Sequence, residues 1–198
     1  MTTSLVHESL RHPPAWAVPM ADRVNFQTVF EGLFLTAFKD RVTPELREQL
    51  KRIGLNLDKL QTAYPHSVFL AAVAAGAQTW FPGEPSESAW FKVGVRNLDG
   101  FYETFLGKPL FALLRVLGPR RTIGRMKANF RSANNYTESK LVELSPTEVQ
   151  LWMNETGETR HFIRGVMFRG LQLAGAPNVK IEELSSDERG TVYRFLLS

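Results

Sequence analysis

The sequence predicts an α+β protein, in which a helical N-terminal part packs on a small antiparallel sheet. Two patterns support this prediction. Before Asn134, apolar residues recur mainly at three- and four-residue steps, which is the spacing of one helix face. After Asn135 they alternate at two-residue steps in two pairs of segments, with one helical segment between the pairs. The C-terminal third is therefore predicted to have the order β-β-α-β-β.

A single domain is predicted to follow a loosely held arm. Residues 1–22 contain several prolines and show no sustained period, so we expect a flexible N-terminal arm there. Residues 23–198 are long enough to remove roughly 70% of their unfolded surface from water in one core. Within this domain, a continuous apolar stripe predicts the first helix over residues 24–38.

Caps and turn residues place the next helices. Thr43 is a predicted N-cap, Pro44 follows at the first helical position, and Gly54 is a predicted C-terminal stop. A short helix is predicted over residues 56–60, with asparagine as its cap. The apolar run over residues 67–80 then predicts a buried helix.

Two more helices complete the predicted helical part. Residues 86–106 are expected to be helical, with interruptions at Gly94 and Gly100. A separate helix is predicted to begin at Pro109 and to end at Gly118, where Gly-Pro stops it.

The C-terminal third is predicted to hold two hairpins and one helix. Alternating apolar residues indicate a first hairpin of residues 136–144 and 149–153. Helical spacing returns over residues 160–174, and a second hairpin is predicted from 179–181 and 192–197.

Two glycines lie inside the last predicted helix. Gly165 and Gly170 each cost about 1 kcal/mol relative to alanine in a helix interior, which indicates close packing, most simply against the sheet. They form no Gly-x-Gly-x-x-Gly string, so a phosphate-binding loop is not expected.

Composition excludes several kinds of site. The chain has no cysteine, which excludes disulfides, thiolate nucleophiles, iron–sulfur clusters and cysteine-based zinc sites. Its four histidines show no metal-site spacing, and no nucleophile–base pair is visible. No apolar run reaches the roughly 18 residues needed to cross a bilayer, and no secretory signal pattern is visible. We therefore expect a cytoplasmic, non-enzymatic protein without a cofactor.

Positive charge is concentrated between Thr104 and Thr137. This segment has no acidic residue and holds seven of the 24 lysines and arginines, while the whole chain has a net charge of +4. On a single helix over residues 120–131, three of the cations would lie within about 40° of one another and two on the adjoining flank. These five candidate binding residues are Arg120, Arg121, Arg125, Lys127 and Arg131.

Two interpretations of this basic face remain open. It would suit an acidic protein surface, with nucleic acid as the alternative partner. It would equally be an ordinary solvated surface, or be neutralised by the chain's own acidic residues, such as Glu182, Glu183, Asp187 and Glu188.

The helical region is rich in aromatic side chains, which predicts either an ordinary core or a pocket for a small apolar ligand. The candidate lining residues of such a pocket are Phe30, Phe34, Trp80, Trp90, Phe105 and Tyr136. The pair Asn134 and Asn135 would orient a ligand or simply form a turn.

Several short motifs occur in order along the chain: Val29-Phe30-Glu31-Gly32-Leu33, Gly54-Leu55, Ala63-Tyr64-Pro65, Gly118-Pro119-Arg120-Arg121, Asn134-Asn135-Tyr136-Thr137-Glu138 and Tyr193-Arg194-Phe195. In this spacing the set resembles a family of uncharacterised proteins of about this length that myxobacteria carry in many paralogous copies. The resemblance implies no reaction. The segment Phe195-Leu196-Leu197 departs from it, since a tryptophan is expected there.

The predicted order of elements is also similar to a domain class shared by bacterial haem-based nitric-oxide sensors, small hydrocarbon-binding regulatory domains and a Golgi transport subunit. For a haem sensor this resemblance implies an axial histidine on a helix and a Tyr-x-Ser-x-Arg element. The nearest string, Tyr136 to Lys140, has a different spacing and ends in lysine, which disfavours haem. Similarity of fold does not by itself transmit function.

Together these observations predict a binding or regulatory module. It would engage a protein partner through the basic face, or a small apolar ligand in the aromatic interior. Nucleic-acid binding through residues 120–131 is the alternative function.

Overall fold

The computed structural model describes residues 18–104 and 107–197. The greater part of the predicted N-terminal arm and the candidate pocket residue Phe105 lie outside these ranges.

The helices of the described residues occupy most of the N-terminal two thirds. In chain order they are α1 (Gln27–Phe30, continued by a π-helix over Glu31–Ala37), α2 (Pro44–Arg52), α3 (His66–Trp80), α4 (Ser86–Tyr102), α5 (Gly107–Leu117), α6 (Pro119–Gly124), α7 (Met126–Phe130) and α8 (Thr159–Leu173). Single 3₁₀ turns cover Met20–Asp22 and Lys39–Arg41.

The strands form two antiparallel sheets. They are β1 (Val24–Phe26), β2 (Ala63–Pro65), β3 (Ser139–Ser145), β4 (Glu148–Met153), β5 (Lys180–Asp187) and β6 (Gly190–Leu196). β1 pairs with β2, and the larger sheet has the order β3-β4-β6-β5, with α8 between its two hairpins. The α+β class and the β-β-α-β-β order of the C-terminal third are therefore confirmed.

Local sequence signals explain where several helices begin and end. The Thr43 side chain accepts a hydrogen bond from the Leu46 main-chain nitrogen at 3.2 Å, which caps α2 as predicted. Gly54 follows α2 with a φ of 95°, and Gly118 follows α5 with a φ of 78°. Both glycines occupy left-handed backbone that other residues rarely adopt, so they stop the helices.

Two helix predictions are wrong in part. The first helix does not begin at residue 24, because Val24–Phe26 pairs with Ala63–Pro65 as a strand. The short helix over 56–60 does not form, since the Asn56 side-chain oxygen Oδ1 accepts from the Asp58 main-chain nitrogen at 3.0 Å and makes a turn.

The predicted interruptions of α4 are also absent, and the glycines have another role. A Cβ atom at Gly94 would lie 2.0 Å from the Phe162 carbonyl oxygen, and one at Gly165 would lie 2.1 Å from the Phe91 carbonyl oxygen. The backbones of α4 and α8 therefore touch across both glycines. Close packing at Gly165 is confirmed, but its partner is helix α4 rather than the sheet.

The core joins the helices to the large sheet. One cluster of buried side chains includes Leu33, Leu50 and Val93 from the helical part together with Val149 and Phe195 from the sheet. β4 and β6, the two central strands, are buried along most of their length. The sheet thus supports one side of the helices, while the other helical surfaces enclose the cavity described next.

Candidate functional site

A cavity of about 110 Å³ lies among α1 and α3 to α8. Its wall is mainly apolar, and five phenylalanine rings from five helices contribute to it. These rings belong to Phe69, Phe101, Phe111, Phe130 and Phe162. An engineered apolar cavity of about 150 Å³ holds benzene, so this space suits a molecule of roughly that size.

Helix α5 covers one side of the cavity with an amphipathic face. Leu110, Phe111 and Leu114 line the cavity, at the spacing of one helix face. Leu113 and Val116 lie on the opposite face and are 52% and 84% exposed. Helix α5 therefore presents its apolar face to the cavity and its other face to solvent.

Helices α4 and α8 form the opposite wall. Gly94 and Gly165 bring their backbones into contact, and Leu98 of α4 and Val166 of α8 both line the cavity. A Cβ atom at Gly170 would lie 3.3 Å from Leu98 Cδ2, so this glycine also keeps room for the lining leucine.

The cavity has a polar end, where Glu155 is a lining residue. Glu155 is 1% exposed and follows strand β4. Its main-chain oxygen accepts from the Thr191 hydroxyl at 2.8 Å, which ties the segment to β6. Burial raises the pKa of Glu155 to about 7, against the opposing effects of the Arg23 charge and of hydrogen bonding with Thr159.

Asn154, the residue before Glu155, fixes this loop from the other side. Its side-chain oxygen accepts from the Glu138 main-chain nitrogen at 2.8 Å, and its side-chain nitrogen donates to the Tyr136 carbonyl oxygen at 2.9 Å. The loop is therefore bonded both to the segment before β3 and, through Thr191, to β6.

Tyr136 lines the cavity near Glu155 and is held as a neutral phenol. Burial, followed by the charge of Glu155, raises the pKa of Tyr136 well above its ordinary value. The Tyr136 hydroxyl is hydrogen-bonded to the Asn25 side chain. The Arg23 guanidinium lies 5.0 Å from the centre of the Tyr136 ring.

His66 completes this group and is also uncharged at neutral pH. Burial, followed by the nearby charge of Arg23, lowers the pKa of His66 to about 4. Its Nδ1 lies 3.0 Å from the Asn25 side-chain oxygen, so the N–H of the neutral ring donates a hydrogen bond to that oxygen. His66 and Tyr136 are thus both neutral and hydrogen-bonded to Asn25.

The asparagines before Tyr136 form the turn that precedes β3. The Asn134 side-chain oxygen accepts from the main-chain nitrogens of Tyr136 and Thr137, and that of Asn135 accepts from the Val24 nitrogen. Both amides are therefore used by the backbone, although Asn134 also touches the cavity.

Among the predicted pocket residues within the described ranges, Tyr136 lines this cavity. Phe30 instead packs edge-on against Tyr64 at 4.8 Å, and Phe34 packs against Trp80 at 5.5 Å between ring centres. Trp90 borders a separate, more polar cleft. The aromatic residues of the first helix thus belong to the core, while the cavity lies nearer α5.

Sequence reasoning missed the residues that define the polar end and the α5 wall. The stripe of Leu110, Phe111 and Leu114 was visible as helical spacing after Pro109. Glu155 carries no comparable signal, because the sequence does not show which acidic residue of a loop becomes buried.

The basic segment does not form one helix. α6 ends at Gly124 and α7 begins at Met126, so the predicted alignment of residues 120–131 on one face is wrong. Lys127 and Arg131 both bind the buried carboxylate of Glu138, at 2.7 and 3.1 Å.

The remaining cations of the segment behave differently from one another. Arg120 pairs with Glu143 and donates to the Ser145 carbonyl oxygen at 2.6 Å. Arg121 and Arg125 are exposed and form no ion pair within the described ranges. Internal pairing therefore takes up three of the five predicted binding residues, through Glu138 and Glu143 rather than the C-terminal acidic residues.

Residues 18–104 and 107–197 contain no group of three histidine, aspartate or glutamate side chains placed to hold a metal ion. In that part of the chain, no helix combines the length and apolarity needed to cross a membrane.

Solved structures of H-NOX domains share this fold. An Fe(II) unliganded H-NOX variant from K. algicida is 12% identical with a TM-score of 0.62, over 87% of this chain and 96% of that chain. A variant H-NOX from T. Tengcongensis is 14% identical with a TM-score of 0.62, over 86% and 95%. An oxygen-binding H-NOX domain related to soluble guanylate cyclases is 16% identical with a TM-score of 0.60, over 86% and 92%. At these identities the likeness shows the fold alone.

Haem is the group that this fold class implies, and it does not fit the described residues. Haem iron is held by histidine, cysteine, methionine or tyrosinate. No described histidine lines the cavity, and its tyrosine, Tyr136, stays a neutral phenol. Met126 and Met167 do line it, but a space of about 110 Å³ is far too small for a porphyrin.

Comparison with the curated proteins gives no match. One family does match, over residues 23–196, which is nearly the whole length. The resemblance to a family of unknown function is thereby confirmed, and the chain belongs to the family described as "protein of unknown function (DUF2378)".

Proposed function

We propose that this protein is a non-enzymatic regulatory module that binds one small, mainly apolar molecule in the cavity between α4, α5 and α8. The cavity itself carries the proposal, since it combines five phenylalanine rings with a volume of about 110 Å³, of the same order as the roughly 150 Å³ of an engineered cavity that binds benzene. The H-NOX-like fold supports it as well. Apolar pockets with few polar groups are the usual form of small-molecule sites.

The neutral state of His66 and Tyr136 argues against a catalytic role for these two side chains. His66 and Tyr136 have pKa values that leave both uncharged near pH 7, and each is hydrogen-bonded to Asn25. A general base or nucleophile needs an available lone pair and a pKa near the working pH. We therefore place these two residues in a supporting role around the ligand.

Benzene binding, followed by methionine methyl NMR, tests the cavity directly. Met126 and Met167 line the cavity, whereas Met20 is exposed in the turn before β1 and does not line it. We expect benzene to shift the methyl signals of Met126 and Met167 in a saturable way and to leave Met20 unchanged.

Two variants of α5 provide the matched comparison. Leu110→Phe fills part of the cavity, while Leu113→Phe makes the same change on the exposed face of the same helix. We expect Leu110→Phe to weaken benzene binding at least tenfold and Leu113→Phe to leave it within twofold. Equal binding by both variants, or no response of either cavity methionine in the unmodified protein, would contradict the proposal.

We also propose that the basic segment binds a protein partner with an acidic surface. Arg121 and Arg125 support it, because they are the exposed cations of residues 120–131 that lack an ion pair within the described ranges. Nothing in the geometry favours nucleic acid over an acidic protein there.

A further inference from the structure

The carboxyl group of Glu155 has one oxygen without a hydrogen-bond partner. Within the described ranges, the buried side-chain atoms that lack a partner are Thr137 Oγ1, Gln150 Oε1 and Glu155 Oε1. Of these three residues, Glu155 is the one that lines the cavity. A buried acceptor left unsatisfied costs about 1–3 kcal/mol, so natural structures normally give it a partner.

The other polar side chains at the cavity already have partners. Asn25 is bonded to His66, and Asn97 donates to the Val29 carbonyl oxygen at 3.2 Å. Asn134 accepts two main-chain hydrogen bonds. A ligand in this space therefore finds an open acceptor at Glu155 and apolar contacts over most of the remaining wall.

The surrounding charge favours a neutral donor over a cation. Arg23 lies close enough to lower the pKa of Glu155, and its Nη1 donates to the adjacent Asn154 carbonyl oxygen at 3.4 Å. An ammonium ligand would bring a second positive charge beside this guanidinium in a poorly solvated space. An N–H or O–H group would satisfy Glu155 without that repulsion.

We propose that the ligand is a flat, neutral aromatic molecule with one N–H or O–H group. This group donates a hydrogen bond to Glu155, while the ring of the ligand contacts the phenylalanine side chains that line the cavity. This inference rests on the proposed function and adds the chemical class of the ligand. The position of Glu155 is well suited to such selection, because Thr191 and Asn154 fix its backbone from two sides.

Pyrrole and furan test this selection. The two rings have nearly the same size, but pyrrole carries an N–H donor and furan does not. One hydrogen bond to a charged or partly charged acceptor is worth about 1.5–3 kcal/mol, which is at least tenfold in affinity. We expect the unmodified protein to bind pyrrole at least tenfold more tightly than furan, measured by the Met126 and Met167 methyl shifts.

Glu155→Met removes the acceptor and keeps a side chain of similar length. We expect this variant to bind furan as before and to lose the preference for pyrrole, with the two affinities within twofold. Glu155→Gln, which retains a carbonyl acceptor, should keep an intermediate preference and guards against misfolding of the methionine variant.

The outcomes separate this inference from the proposed function. Equal binding of pyrrole and furan by the unmodified protein, or a preference that survives in Glu155→Met, would overturn the role of Glu155 and leave the cavity as a binding site. If benzene, pyrrole and furan all fail to shift the two cavity methionines, the binding function itself fails.

Discussion

At the level of single residues, Glu155 makes stability depend on pH. Its pKa in the folded protein is about 7, above the ordinary value of 4.5, because the carboxyl group is buried. Between these two values the folded state binds more protons than the unfolded state, so the free energy of unfolding falls as pH rises through the window. Protonation below pH 4.5 restores the full contribution of this group.

Glu155→Gln should remove this dependence. We expect its free energy of unfolding, minus that of the unmodified protein, to increase by about 3 kcal/mol between pH 4.5 and 8, since each pKa unit corresponds to about 1.4 kcal/mol. Urea unfolding of both proteins at several pH values measures this difference, in which the titration of His66 and other shared groups cancels. A difference that stays constant with pH would show that Glu155 titrates normally.

Residue-level features divide into those the sequence predicts and those it does not. The Thr43 cap and the stop at Gly54 follow from local backbone chemistry, and both were predictable. The burial of Glu155 depends on contacts with Thr191, which is far along the chain, so no local pattern reveals it. The same holds for Glu138, whose pairing with Lys127 and Arg131 was not expected.

At the level of elements, the contact between α4 and α8 determines the shape of the cavity wall. A Cβ atom at Gly165 would lie only 2.1 Å from the Phe91 carbonyl oxygen, so a methyl group has no room there. Gly124, at the end of α6, is also helical, but a Cβ atom there would meet its nearest neighbour, Leu141 Cδ2, at 3.7 Å, an ordinary contact distance. The two positions therefore form a matched pair for substitution.

Gly165→Ala should destabilise the protein by about 1–3 kcal/mol or more, because the helices must move apart to accept the new atom. Gly124→Ala should leave stability unchanged or raise it by up to about 1 kcal/mol, since alanine favours a helix over glycine. Chemical denaturation compares the two variants. Equal stabilities would mean that α4 and α8 are not in backbone contact.

Elements show a second limit of sequence-based prediction. Apolar spacing alone does not separate the strand Val24–Phe26 from the helix that follows it, because the strand is short and its partner, Ala63–Pro65, is distant in sequence. Likewise, glycine suggests a helix break at Gly94, whereas here it permits a neighbouring backbone to approach. Long-range packing decides both cases.

At the level of the whole molecule, the class and order of elements were predictable and the cavity was not. Periodicity changes after Asn135, and this change alone indicates where the helical part gives way to the sheet region. Whether aromatic residues enclose space depends on how several helices meet. Phe30 and Phe34 became core while Phe101 and Phe111 became cavity wall, although all four are phenylalanines on helices.

Haem binding is a property that can be tested on the whole protein. The molecule shares its architecture with H-NOX domains, yet its cavity has a volume of only about 110 Å³. No histidine of the described ranges lines this cavity, and its Tyr136 is a neutral phenol. We therefore expect added hemin to give no saturable one-to-one Soret shift and no change in the methyl signals of Met126 and Met167. An H-NOX domain stripped of haem and treated in the same way provides the control. A stoichiometric Soret band accompanied by paramagnetic shifts of those two methyl groups would contradict the expectation, because it would place iron inside a cavity that the helices hold too narrow for a porphyrin.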